Sequence, residues 1–152
     1  MDSITLRPIG TVHSTIEEKV YKNWGSVIST IELNPEYIEG LARLGDYSHA
    51  MIIFYMDGFM EKNTNKWKRK PRGISTLEEI GCFAQRTKHR PNPLGITIAE
   101  ILSIKENIIS VRGLDANNGT QVLDIKPYIP DFDRRENALI PIWMKYLMKD
   151  YF

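Results

Sequence analysis

Arg86, Lys88, His89 and Arg90 fall within five residues, just ahead of Pro91, Pro93 and Gly95. Proline fixes its own φ and restricts the residue before it, so this bend holds its cations in place before any ligand arrives. Stiffened cations suit an anion or a carboxylate. A second polar constellation follows in VRGLD and DIKPY, where Asp115, Asp124 and Lys126 interrupt otherwise apolar strands and Gly113 lets a ligand approach the backbone closely. Placed in adjacent strands of one sheet, the two stretches make two walls of a site.

A third stretch, EKNTNKWKRKPRG (61–73), sets Lys62, Lys66, Lys68, Arg69, Lys70 and Arg72 around Trp67 with almost no acid to balance them. It reads either as a solvated loop or as a nucleic-acid contact, in which the cations neutralise phosphates and the indole stacks on a base. His13, His49 and His89 are scattered without metal-ligand spacing, so no metal site is expected. Cys82 beside Phe83 reads as a small core residue, since no activating charge pattern surrounds it. Neither a P-loop nor a dinucleotide glycine fingerprint is present, so a nucleotide-like cofactor has to be held in some other way.

The elements that must position these groups are mostly strands. Ile4–Ser14 reads as a strand broken near Pro8 and Gly10, and Ser26–Leu33 as an alternating one. Asn34 and Pro35 then begin a short helix running to Gly45. Ala50–Met56, continuously apolar, is the expected core strand. Strand pattern resumes in GCFAQ, in Ile96–Ile104 and in Ile108–Leu114, and Asn118–Gly119 predicts a hairpin from that last strand into Thr120–Tyr128. A helix over 138–152, with Ile142, Trp143, Tyr146 and Leu147 on one face, closes the chain. The expectation is a mainly β fold, a small antiparallel barrel with a short helix after the second strand and a C-terminal helix, in one domain over 1–152.

Composition limits the alternatives. Lys plus Arg number 20 against 19 for Asp plus Glu, so any nucleic-acid affinity has to be local. The single cysteine excludes an internal disulfide and favours a reducing, cytoplasmic setting. The longest apolar run is far shorter than the roughly 20 residues that cross a bilayer, so no membrane partner is expected.

The run FAQRTKHRPNPLGIT, with its partner GLDANNGTQVLDIKPYIP, resembles the TsaA-like, or TrmO, family. PIGTVHS at 8–14, NWG at 23–25 and YSHAMIIFYM at 47–56 extend the resemblance over residues 4 to 131. It implies a small β-barrel (4–131) that binds S-adenosylmethionine, works on tRNA and forms a homodimer with the cofactor near the subunit interface. Carried over by motif, the cofactor contacts fall at Asn23, Trp24, Gly25, Met56, Asp57, Arg86, Ile96, Arg112, Gly113, Leu114 and Asp115. The implied acceptor is N6 of threonylcarbamoyladenosine next to the anticodon. Lys68, Arg69, Lys70, Lys88, His89, Arg90 and Lys126 are then the candidates for holding substrate. Tyr128 and Asp124 are candidates for proton handling, with no single base assigned. Longer family members carry a further C-terminal domain, and Thr87, Lys88 and Gln121 depart from the family's usual residues at the rim of the site. Two other readings stay open: a methyltransferase with a different RNA or small-molecule acceptor, and an S-adenosylmethionine-binding module without turnover.

Overall fold

The computed structural model describes residues 3–17, 22–56 and 66–152. Six strands close into an antiparallel barrel in the order β1-β2-β7-β6-β3-β8. They are β1 (Gly10–His13), β2 (Ile28–Leu33), β3 (His49–Tyr55), β6 (Leu94–Lys105), β7 (Ile108–Arg112) and β8 (Gln121–Pro127). A separate two-stranded ribbon pairs β4 (Lys68–Arg69) with β5 (Ile80–Gly81). Two helices follow the barrel, α1 (Pro130–Asp133) and α2 (Ile142–Met148).

Strict alternation sorts side chains between the two faces of the wall. From β3, Ala50, Ile52 and Phe54 turn inward with Val12, Ile31, Ala99, Ile109, Val111 and Val122 to fill the core. The residues between them, His49, Met51, Ile53 and Tyr55, are only half-buried. The core strand is therefore covered fully on one face and partly on the other, because apolar composition alone does not say which side a barrel closes over.

The short helix expected after β2 is present, wound as 3-10 helix at Pro35–Leu41 and again at Leu44–Asp46. Three further expectations are corrected. The Asn34 amide, read as an N-cap, donates instead to the carbonyl of Pro8 at 3.2 Å. GCFAQ contributes only its first residue to a strand and then turns at Cys82–Ala84. The final helix is shorter than 138–152, and its apolar face is divided: Trp143 and Leu147 are half-buried while Ile142 and Tyr146 stand exposed.

The correction that matters most concerns Asn118–Gly119. β7 already has β2 on one edge and β6 on the other, so it has no free edge for β8. β8 pairs with β1 and β3. The residues after β7 leave the sheet, burying Leu114 and Ala116. The Asn118–Gly119 turn is then tied to the first strand and its exit, with Gly119 N–H donating to the carbonyl of Val12 and Asn118 N–H to that of Ile16, each at 2.8 Å. A local turn signal was right about the turn and wrong about the partner. The DIKPY stretch consequently does not lie beside VRGLD.

Candidate functional site

The site is best built outward from Asp115, which the chain reaches as it leaves β7. Thr97, an inward residue of β6 and nearly fully buried, donates its hydroxyl to Asp115 Oδ1. Tyr151, near the C-terminus, donates its hydroxyl to Asp115 Oδ2 at 2.7 Å. Burial pushes the Asp115 carboxyl above the usual carboxylate range, and the two donated hydrogen bonds and the positive charge of Arg86 pull the other way. Burial, reinforced by the Asp115 charge, also pushes the Tyr151 phenol well above its ordinary value. The phenol therefore stays protonated, and a donor, at any physiological pH.

Around this pair the motif-assigned residues separate into groups. Asn23 takes a left-handed conformation (φ 61°) and leads into a 3-10 turn at Trp24–Ser26, with the indole buried. Gly113 (φ 86°) donates its N–H to the carbonyl of Val27 at 2.9 Å, and a Cβ placed on it would lie 4.0 Å from the Cα of Gly25. Two residues without side chains thus bring the 23–25 segment up against the backbone that leads to Asp115. Arg86 is exposed and lies close enough to act electrostatically on both Asp115 and Tyr151. Asn23, Trp24, Gly25, Arg86, Gly113 and Asp115 therefore come together.

The other assigned cofactor contacts do not join them directly. Leu114 is fully buried in the core, and Met56 packs against the core with its N–H on the carbonyl of Pro93. Arg112 reaches across to Glu100 at 2.8 Å, and Ile96 stands on the outer face of β6. Asp57 lies outside the described residues.

The cationic stretches are partly occupied in holding the chain. Arg90 donates to the carbonyls of Gln85 and Thr87, each at 3.3 Å, and so braces its own bend. His89 N–H is held by the Thr87 hydroxyl at 3.3 Å. Lys68 and Arg69 form β4, Lys70 Nζ donates to the carbonyl of Ser75, and Lys66 pairs with Glu79 at 2.8 Å. Glu79 is thus an acid that the expectation of an unbalanced charge run left out, because it sits across a ribbon from the run. Gln85 bonds the carbonyls of both Arg69 and Ile80, which joins the basic ribbon to the bend. Lys62 lies outside the described residues.

Asp124 and Lys126 pair with each other at 2.7 Å. Their register partners, Ile53 and Met51, put them on the outer face of the barrel. Tyr128 stands edge-on to His49 with ring centroids 6.4 Å apart. Among the described residues, neither Asp124 nor Tyr128 joins the Asp115 cluster. No group of three or more His, Cys, Asp or Glu side chains among the described residues is placed to hold a metal ion, and no helix there is long and apolar enough to cross a membrane.

Sequence reasoning missed Thr97 and Tyr151. Thr97 carried a signal, a polar residue at an inward position of the alternating run ITIAEI. Tyr151 carried none, since its partner lies 36 residues away and is reached only through the tertiary fold.

Comparison with known proteins agrees with this architecture. The tRNA-methyltransferase O N-terminal domain matches residues 21–134. A probable S-adenosyl-L-methionine-binding protein of Pyrococcus abyssi is 35% identical over 147 residues, covering 90% of this chain and 74% of the relative. A human tRNA (adenine(37)-N6)-methyltransferase is 34% identical over 111 residues, 72% of this chain but only 24% of that protein. A TrmO crystal structure from P. aeruginosa superposes with a TM-score of 0.75 at 28% identity, covering 94% of this chain. The chain spans 62% of that crystallised protein, less than two thirds of its length.

Proposed function

Because this chain belongs to the tRNA-methyltransferase O N-terminal-domain family, we propose that it is an S-adenosylmethionine-dependent tRNA methyltransferase of the cytoplasm, with N6 of threonylcarbamoyladenosine beside the anticodon as its acceptor. The observation that carries this reading is the convergence of Asn23, Trp24, Gly25, Arg86, Gly113 and Asp115, which come from three separate stretches of the chain. The donor set fits the ligand. Arg86 matches the methionine carboxylate, and Asp115 accepts from a ribose hydroxyl or the ammonium. When bound, S-adenosylmethionine supplies a methyl group already activated by its sulfonium.

What remains for the protein is alignment and proton loss. The acceptor nitrogen belongs to a urea and is a poor nucleophile until its proton leaves. Lys88, His89 and Arg90, next to the Arg86 wall, suit the threonyl carboxylate or a neighbouring phosphate. The ribbon of Lys68, Arg69 and Lys70, tied to the same bend through Gln85, extends the cationic surface toward tRNA. Trp67, 48% exposed, adds a stacking face.

A homodimer accounts for the residues that the single barrel leaves outside. Leu94, Ile96 and Ile98 are exposed on β6 and run in register with Tyr55, Ile53 and Met51 of β3, an apolar strip flanked by Asp124 and Lys126. Exposed strips of this kind mark interfaces. Covering it with a second copy brings Ile96 and the β8 polar groups to the subunit boundary. Ile98→Glu is expected to convert dimer to monomer in sedimentation velocity; a variant that stays dimeric would move the interface elsewhere.

The decisive assay incubates the chain with labelled S-adenosylmethionine and total tRNA from cells lacking the modification, followed by digestion to nucleosides. Label on N6-methylated threonylcarbamoyladenosine is expected. Label on another nucleoside would change the acceptor, and binding of S-adenosylmethionine without any label would favour a binding module.

A further inference from the structure

The groups assigned to the cofactor share a neighbour that no motif identifies. α2 ends at Met148, and Asp150 takes a left-handed conformation (φ 72°) that turns the chain out of the helix. The turn lays the last residues along the NWG segment. Asn23 N–H donates to the carbonyl of Asp150 at 2.9 Å, and Trp24 N–H to that of Tyr151 at 2.8 Å. A Cβ on Gly25 would lie 2.8 Å from the carbonyl carbon of Phe152, so this position tolerates the tail only as glycine. The Tyr151 ring lies beneath Arg72, whose guanidinium carbon is 5.9 Å from the ring centroid, and edge-on to Phe152 at 4.9 Å. All of these contacts deliver one hydroxyl to Asp115 Oδ2.

We propose that Tyr151 is a positioning residue of the cofactor site, fixing the Asp115 carboxylate through its hydroxyl while the tail 150–152 forms the wall of the site over Asn23–Gly25. The proposal rests on the reading of Asp115 as an S-adenosylmethionine contact. A carboxylate offers about four acceptor positions, and Thr97 and Tyr151 take one on each oxygen. Capacity is left for a hydroxyl or ammonium of the ligand, so the tail need not leave for the ligand to bind. An acceptor clamped from both sides loses little freedom on binding, which lowers the ordering cost of the complex.

Among the described residues, the groups that face Asp115 are Thr97 from β6, Tyr151 from the tail and, by charge, Arg86 from the bend, with Arg72 behind Tyr151. Tyr151 and Thr97 offset the burial that opposes ionisation of Asp115. Removing the Tyr151 hydroxyl therefore raises the pH needed to charge that carboxylate.

The test is calorimetric titration of S-adenosylmethionine into the full chain and into Tyr151→Phe between pH 5 and 8, with thermal melts of the ligand-free proteins. Tyr151→Phe keeps the ring and its packing, so its melt is expected to stay close to wild type. Affinity at pH 7 is expected to fall about tenfold, the scale of one hydrogen bond to a charged group. The acid limb of the binding curve is expected to move to higher pH. Unchanged affinity and an unmoved limb would overturn the proposal, as would weakened binding with an unmoved limb, which is the signature of packing alone. Tighter binding would overturn it in the other direction, by making the tail a competitor for the site. A wild-type chain that binds no S-adenosylmethionine would instead overturn the reading of the site itself.

Discussion

Asp115→Asn is expected to weaken S-adenosylmethionine binding by about 100-fold, toward the upper end of what a hydrogen bond to a charged group contributes. The same substitution is expected to leave the ligand-free fold at least as stable at neutral pH. The second half follows from the direction of the titration. Burial raises the Asp115 carboxyl above its unfolded value, so the folded state holds this proton more tightly than the unfolded chain does. The contribution to stability is therefore fully present below the unfolded value and is lost as pH rises through the folded one. Wherever the group is ionised in the fold it is a cost, which a neutral amide of the same shape removes. Its oxygen still accepts a hydrogen bond, and its NH2 can donate to the other hydroxyl. Melts of the variant and the wild type should converge, or cross, as pH falls below the usual carboxylate range. A variant that binds normally would remove Asp115 from the site, and one that fails to fold at pH 7 would show that the carboxylate is needed structurally.

Gly95→Ala is expected to cost the fold about 2–3 kcal/mol, on the scale of overpacking a well-filled core. For a domain of this size that lowers the melting temperature by about 5–10 °C. A Cβ at this position would lie 2.3, 2.4 and 2.8 Å from three ring carbons of Phe54, its register partner on β3. The ring is 4% exposed and belongs to the barrel core, so moving it aside means repacking its buried neighbours. Adding Phe54→Leu to Gly95→Ala should recover part of the loss, giving a double variant more stable than the sum of the two singles predicts. A single variant melting within about 2 °C of wild type would show that the ring can shift. Gly95 closes the HRPNPLG bend, so the same clash would also displace the strand that carries Thr97 to Asp115.

These two residues illustrate what could and could not be read before the fold was known. Local hydrophobic pattern marked most of the strands, because a strand's period of two and its short apolar runs are local properties that survive in any antiparallel sheet. The stiff cationic bend was legible for a similar reason: proline restricts its own neighbourhood whatever surrounds it. Strand order was not legible. Asn118–Gly119 fixes a turn, but which strand lies next to β8 depends on edges already taken by β2 and β6, residues far away in sequence.

The composition of the site divides along the same line. The chain's own motifs, through their resemblance to the TrmO family, implied a cofactor site drawn from NWG, Arg86 and GLD and built without a glycine-rich nucleotide loop. Tertiary structure alone decided that Ile96, Asp124 and Lys126 face outward, that Leu114 is core, and that Arg90 braces its own loop. It also decided that a tyrosine at the far end of the chain closes on Asp115. Local sequence specifies backbone geometry and which face a side chain occupies, because those depend on neighbours a few residues away. The partner of a buried carboxylate is chosen by closure of the barrel and the path of the tail, and no short window of residues contains that information.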